Sequence, residues 1–280
     1  MITISRVLRH VGIGSQLLAV LAMGACHSVS TPNDTINFDG PIDDRNVAKF
    51  ETALENAPSG TVKWVEITSG GGDARAGFKF GRLVHDRGLS VRVRGYCNSA
   101  CAESVFLAGR IKDVEPGSLV LFHGTASTMK RLHAAAGSDE GSLVFDPLAR
   151  EEDQFLDTIG IKVDLTALAI RELKPICVLI DGRISADQIN RYGYATQFAA
   201  YALPRRMVEE LAGGPVDGYW PSNPNELAAT LRGLPFNDKF TVAWADRPLP
   251  MRNQPHAAPI LARCPSASRS EILDRPAKPS

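Results

Sequence analysis

An apolar run that stops in three glycines constrains this chain more than any other stretch. Val65-Glu66-Ile67-Thr68-Ser69 reads as a strand, and Gly70-Gly71-Gly72 ends it in a turn that can present backbone N–H groups. Asp73 stands where a helix N-cap belongs, followed by Ala76, Phe80, Leu83 and Val84 on one helical face, with Gly88 as the stop. A second strand over residues 89–94 leads into Tyr96-Cys97-Asn98-Ser99-Ala100-Cys101-Ala102, and a helix then runs to about Ala108 before Gly109. After strands at 111–114 and 119–122 comes His123. A serine at a helix start lies near the positive end of the helix, glycine-turn amides can hold a developing oxyanion, and a histidine at a strand end can accept a proton. These are the parts of a serine hydrolase, in chain order.

The flanking sequence extends the alternation of strand and helix. Residues 35–38 read as a strand, and a helix N-capped by Asp44, with Val47, Phe50 and Leu54 on one face, runs to about Glu55. Residues 126–145, rich in Gly, Ser and Ala, read as a long loop beside the site. Helices are expected over 147–159, 165–173 and 185–191, with strands over 176–180 and 194–200. Short helices over 207–211 and 226–231 and a strand over 240–244 follow. Strand–helix–strand units at this spacing specify an α/β domain with largely parallel strands. Beyond residue 200 the composition shifts, since twelve of the eighteen prolines lie there. The expected organisation is a targeting segment at 1–26, a polar linker at 27–34, the α/β domain at 35–200, a Pro-rich C-terminal extension at 201–264 and a disordered tail at 265–280.

The chain's beginning reads as an export signal. Arg6 and Arg9 precede a mostly apolar stretch, residues 11–23, too short to span a bilayer as a retained helix. It closes on Ala22-Met23-Gly24-Ala25-Cys26, which resembles a bacterial lipoprotein signal with Cys26 as the lipidated residue; ordinary cleavage after Gly24 or Ala25 is the alternative. Export to the periplasm, with a possible membrane anchor through Cys26, permits disulfides. Cys97 and Cys101 bracket Ser99 at a spacing that allows a bridge across the nucleophile turn, leaving Cys177 and Cys264 as a second pair. The cysteines lack the CxxC pairs and histidine partners of a zinc site, so no metal is expected. Lys+Arg and Asp+Glu balance at 31 each, which gives no electrostatic case for nucleic acid or an anionic membrane surface.

The glycine turn, Ser99 and His123 together resemble the Clp protease proteolytic subunit family, within the wider ClpP/crotonase-like fold. The turn that this family writes roughly as Ile-Asn-Ser-Pro-Gly-Gly stands here as Ile67-Thr68-Ser69-Gly70-Gly71-Gly72. The family's nucleophile opens a helix ending in Ala-Gly, here Ser99 through Ala108-Gly109, and its base ends the second strand after that helix, here His123. An Asp followed by Ser-Ala and Tyr-Gly at the family's offsets is met by Asp181, Ser185-Ala186 and Tyr192-Gly193. The Ser-Ala-Cys form of the nucleophile turn is closer still to a group of exported bacterial relatives. The match covers residues 35–200. Gly70 departs from the family's Pro, and Glu103 stands where the family is apolar, as either a charge near the site or a solvent-facing helix position.

The resemblance implies a spiral of strand–strand–helix units and acyl transfer. Ser99 attacks a peptide or ester carbonyl, His123 takes its proton and Asp181 orients His123. Amides of Gly71 or Gly72 and of Ala100 hold the oxyanion. No cofactor is implied, and no phosphate-binding Gly-x-x-x-x-Gly-Lys-Ser/Thr motif occurs, so a peptidase of this kind works without ATP on peptide or protein substrates. A homo-oligomer is compatible with it. The competing class is a non-catalytic module of the same fold that binds peptides or a partner. An acyl-CoA enzyme of the crotonase type would leave the Ser–His–Asp set without a role.

Overall fold

The computed structural model describes residues 34–135, 139–179, 192–236, 240–253 and 261. Strand β1 (Thr35–Asp39) is followed by α1 (Asp44–Asn56), β2 (Trp64–Ser69), α2 (Ala74–Asp86) and β3 (Ser90–Asn98). All three strands are parallel neighbours. Helix α1 starts because Asp43, not Asp44, accepts the Asn46 amide at 2.8 Å, and α2 starts because Asp73 accepts the Ala76 amide at 2.9 Å. The buried faces of both helices meet the sheet in an aromatic cluster: the Phe80 ring lies 4.7 Å from Phe38 and 4.6 Å from Phe50, centre to centre. Such side chains stabilise the fold by about 1.5–3 kcal/mol each when fully buried.

After β3 the helix that follows Ser99 is wound as a π-helix over Cys101–Phe106. Strands β4 (Lys112–Val114) and β5 (Leu119–Leu121) then both pair with β3, at different levels. β4 takes Val91–Val93, whereas β5 takes Tyr96–Asn98. Between the two levels sits Gly95 at φ 75°, its amide donated to Ser118 Oγ at 2.7 Å. A glycine in the left-handed region breaks the ladder there and re-aims the strand, so that β3 leaves one neighbour and joins another.

Helices α3 (Ala126–Ala135), α4 (Asp139–Thr158) and α5 (Leu165–Leu173) come next. The first two occupy most of the stretch read from sequence as a loop. Ala126, Met129, Lys130, Arg131, Leu132 and Ala134 are good helix formers, and α4 continues through Pro147 because its far end buries Phe155 and Leu156. Strands β6 (Pro175–Leu179) and β7 (Tyr192–Thr196) pair antiparallel. Beyond them lie β8 (Ala200–Ala202), α6 (Arg205–Ala212), β9 (Val216–Gly218), α7 (Pro224–Arg232) and β10 (Val242–Trp244). β9 joins the main sheet beside β4, β10 pairs with β8, and Trp220 buries against the core, its indole N–H donated to the Leu203 carbonyl at 2.7 Å. Phe122, just past β5, exchanges two backbone hydrogen bonds with Tyr201 at 2.9 and 2.7 Å. No described helix is long and apolar enough to cross a membrane.

Candidate active site

The turn between β3 and its helix places Ser99. Its φ is 59°, and among the described residues only Lys174 shares a positive φ without being glycine. A left-handed serine costs on the order of 1–2 kcal/mol unless its surroundings hold it. Three contacts do so. The Ser99 amide donates to Leu121 O at 3.2 Å, its carbonyl accepts the Glu103 amide at 2.9 Å, and the Cys97–Cys101 disulfide closes a ring around the turn with Cα atoms 5.2 Å apart. The bridge expected across the nucleophile turn is therefore present. Cys177 is also disulfide-bonded, and its partner, like the expected Cys264, lies outside the described residues.

The glycine turn lies against Ser99. A Cβ on Gly71 would sit 2.5 Å from Ser99 Cβ and 2.9 Å from Ser99 Oγ, and one on Gly72 would sit 2.2 Å from Ile42 O. Only glycine permits that approach. The Gly71 amide is donated to Ser69 Oγ at 3.1 Å. The amides of Gly72 and Ala100 have no acceptor among the described residues, and no side chain caps the helix that Ala100 opens. Those two N–H groups are the ones left to meet an anion.

Ser99 and His123 line one cavity of about 100 Å³, together with Gly72, Glu103 and Glu152 and the apolar rings of Phe78 and Phe155. No hydrogen bond joins Ser99 to His123 among the described residues. His123 Nδ1 is 2.6 Å from the Gly124 carbonyl, which can only accept, so in this contact Nδ1 carries the hydrogen and Nε2 keeps its lone pair. Asp181 lies outside the described residues, as does Cys26; of the two aspartates that the sequence offers in its place, Asp187 also lies outside them and Asp164 caps α5 by accepting the Ala167 amide. A hollow of about 380 Å³ bordered by Lys174, Trp244 and Arg247 is larger but contains none of these residues.

Two carboxyls at the cavity were not identified as site residues from sequence. Glu103 turns inward and is largely buried rather than solvent-facing; its Oε1 accepts the His123 backbone N–H at 2.9 Å and lies 4.0 Å from His123 Nδ1. Burial raises its pKa, opposed by the charge and the backbone N–H of His123. Glu152, on α4, accepts the Ser127 amide at 2.8 Å. Burial pushes its pKa up to about 7, opposed by the Ser127 amide and the Thr125 side chain, while the charge of Glu103 adds to the rise. For Glu103 a signal existed, since a residue four beyond Ser99 falls on the same helical face. For Glu152 there was none: the helix expected over 147–159 carries it, but nothing local in the sequence places that helix at the cavity. Among the described residues no group of side chains could hold a metal ion.

No family model matches the chain, and no curated protein does. Among solved structures it is similar to a single-substitution mutant of ClpP1 from Listeria monocytogenes, at 18% identity over 45% of this chain and 73% of the other, with a TM-score of 0.32. ClpP1 from the same organism matches at 15% identity over 46% of this chain and 88% of its own, with a TM-score of 0.31. Similarity at this level does not identify the chain.

Proposed function

We propose that the chain is an exported serine hydrolase, acting as an ATP-independent peptidase on peptide or protein substrates. Ser99 is its nucleophile and His123 its base. One observation carries this reading: Ser99 is held left-handed at a strand–helix junction, beside two uncommitted amides and in one cavity with a histidine whose Nε2 is available. In the reaction the Ser99 Oγ–H proton passes to His123 Nε2 as Oγ bonds the substrate carbonyl carbon. The carbonyl electron pair moves onto oxygen, where the Gly72 and Ala100 amides stabilise it. The imidazolium then gives its proton to the leaving amine or alcohol, and water repeats the sequence to release the acid. Asp181 is proposed, on the sequence resemblance alone, as an orienting acid.

The pairing of β3 with β4 at one level and β5 at the next supports a ClpP/crotonase-like spiral. The Cys97–Cys101 bridge supports an oxidising compartment such as the periplasm, and Cys26 is the proposed lipid anchor. Intact mass of the mature protein tests both processing and lipid. The missing Ser99–His123 hydrogen bond favours the second reading, a non-catalytic peptide- or partner-binding module. A fluorophosphonate probe separates the two. Wild type should label, while Ser99→Ala and His123→Ala should lose labelling and peptide hydrolysis by about 10⁴-fold or more; an unlabelled wild type sinks the hydrolase.

A further inference from the structure

The reaction just described leaves one largely buried carboxyl without a role. Glu103 is tied to the nucleophile turn through its own amide, which donates to Ser99 O, and to the base through Oε1, which accepts the His123 amide. Its side chain is 11% exposed. The titratable groups facing it are His123 beyond β5, Glu152 from α4 and Tyr201 from β8, whose hydroxyl is fully buried and without a hydrogen-bond partner among the described residues. No lysine or arginine forms an ion pair with Glu103 among the described residues. Buried carboxylates are retained only where something offsets their charge. Among the described residues the cation within reach of Glu103 is the imidazolium that appears when His123 takes a proton.

We propose that Glu103 is a positioning residue for the hydrolase. It fixes the backbone of His123 and supplies the counter-charge to the imidazolium across the 4.0 Å between Oε1 and Nδ1. The role rests on reading Ser99 and His123 as nucleophile and base. It differs from that of an orienting acid bonded to the ring, because Nδ1–H is already donated to Gly124 O. Glu103 acts instead through charge and through the main chain. The nucleophile's own helix thus carries the group that tunes the base, so the two halves of the proton transfer are set by one turn of chain.

The test is the pH dependence of kcat/KM for an activated ester or peptide, measured on the full chain. Glu103→Gln keeps an oxygen acceptor for the His123 amide and removes the charge. It should move the acid limb of the profile down by about one pH unit or more and lower kcat with KM nearly unchanged. Glu103→Asp should keep the acid limb near its wild-type position. Asp181→Asn, run in parallel, reads the proposed orienting acid separately, so that the two carboxylates are compared on the same limb. In a Ser99→Ala background, NMR titration of the His123 ring reads the same coupling without turnover: the ring should protonate at lower pH once Glu103 is Gln. An unchanged limb and ring titration in Glu103→Gln, or a shift found only in Asp181→Asn, overturns the role while labelling by the serine probe leaves the hydrolase standing. A wild type that does not label overturns both.

Discussion

Two helices begin at the same edge of the sheet, one after β2 and one after β3, and they treat their first amides in opposite ways. Helix α2 is closed off: Asp73 caps it, and its carboxylate is taken up by an amide of its own first turn. The helix after Ser99 has no side-chain cap, opens from a left-handed serine and runs as a π-helix. Its first-turn carboxylate, Glu103, reaches across to the amide of His123 on another segment. The capped start is the stabler design in isolation. What the uncapped one gains is an uncapped N–H on a residue that lines the cavity, with the strain offset by the disulfide and the contacts to Leu121 and Glu103. Stability has been withheld from one helix end and supplied around it.

The largest test of this contrast is Gly71→Ala. The added Cβ meets Ser99 on a residue whose own φ is 90°, so hydrolysis should fall by about 10²-fold or more while α2 and its cap remain. Normal turnover in a folded Gly71→Ala protein would show that the close approach has no bearing on the serine. Next comes the buried carboxyl beside the uncapped start. Glu152 has a folded-state pKa of about 7 against an ordinary 4.5, so the folded protein binds more protons than the unfolded chain between those values. Wild-type stability should therefore fall as pH rises through that window, to a total on the order of 3 kcal/mol. Glu152→Gln should flatten the slope, which urea unfolding at pH 5 and pH 8 will read.

Reading the same contrast from sequence succeeds on one side only. The capped helix was fully legible, because Asp73, the apolar face and Gly88 are local signals that local physics obeys. Ser99 and His123 were legible as chemistry-bearing residues, and their shared cavity follows from parallel strands delivering both to one edge. The inward placement of Glu103 was not, since a carboxylate on a helix is normally solvated and this one is enclosed by residues distant in sequence, His123, Glu152 and Tyr201. The helical structure over 126–135 and 139–146 was missed for a related reason, whereas the helix expected over 147–159 is the far part of α4. The alanines, glycines and polar residues of the missed part carry propensity without a clear apolar period, and it is packing of Leu132, Phe155 and Leu156 that decides it.

Two smaller effects sharpen the comparison. Replacing Cys97 and Cys101 together by alanine should cost about 2 kcal/mol in urea unfolding. It should also lower kcat more than it raises KM, because the ring around Ser99 opens. Unaltered kcat would mean that Leu121 and Glu103 alone hold the left-handed turn. Asp73→Ala should cost about 1 kcal/mol and leave kcat untouched, since the cap serves only its own helix. A kcat defect there would mean that the two helix starts are mechanically coupled, for instance through Gly77, where an added Cβ would come within 3.0 Å of Ala100 Cβ.

The two hydrogen bonds between Phe122 and Tyr201 carry a consequence for the order of assembly. The residue immediately before the base finds its partner strand only after most of the chain has been made. During synthesis the glycine turn and the serine can meet early, being close in sequence. The histidine's segment, by contrast, lacks its outer neighbour until β8 emerges and docks. Long-range pairings of this kind form late in folding. A nascent or truncated chain ending before residue 200 would thus hold the nucleophile and a base whose segment is braced from one side only, by β3 and Glu103, a form of latency written into the order in which the polypeptide appears.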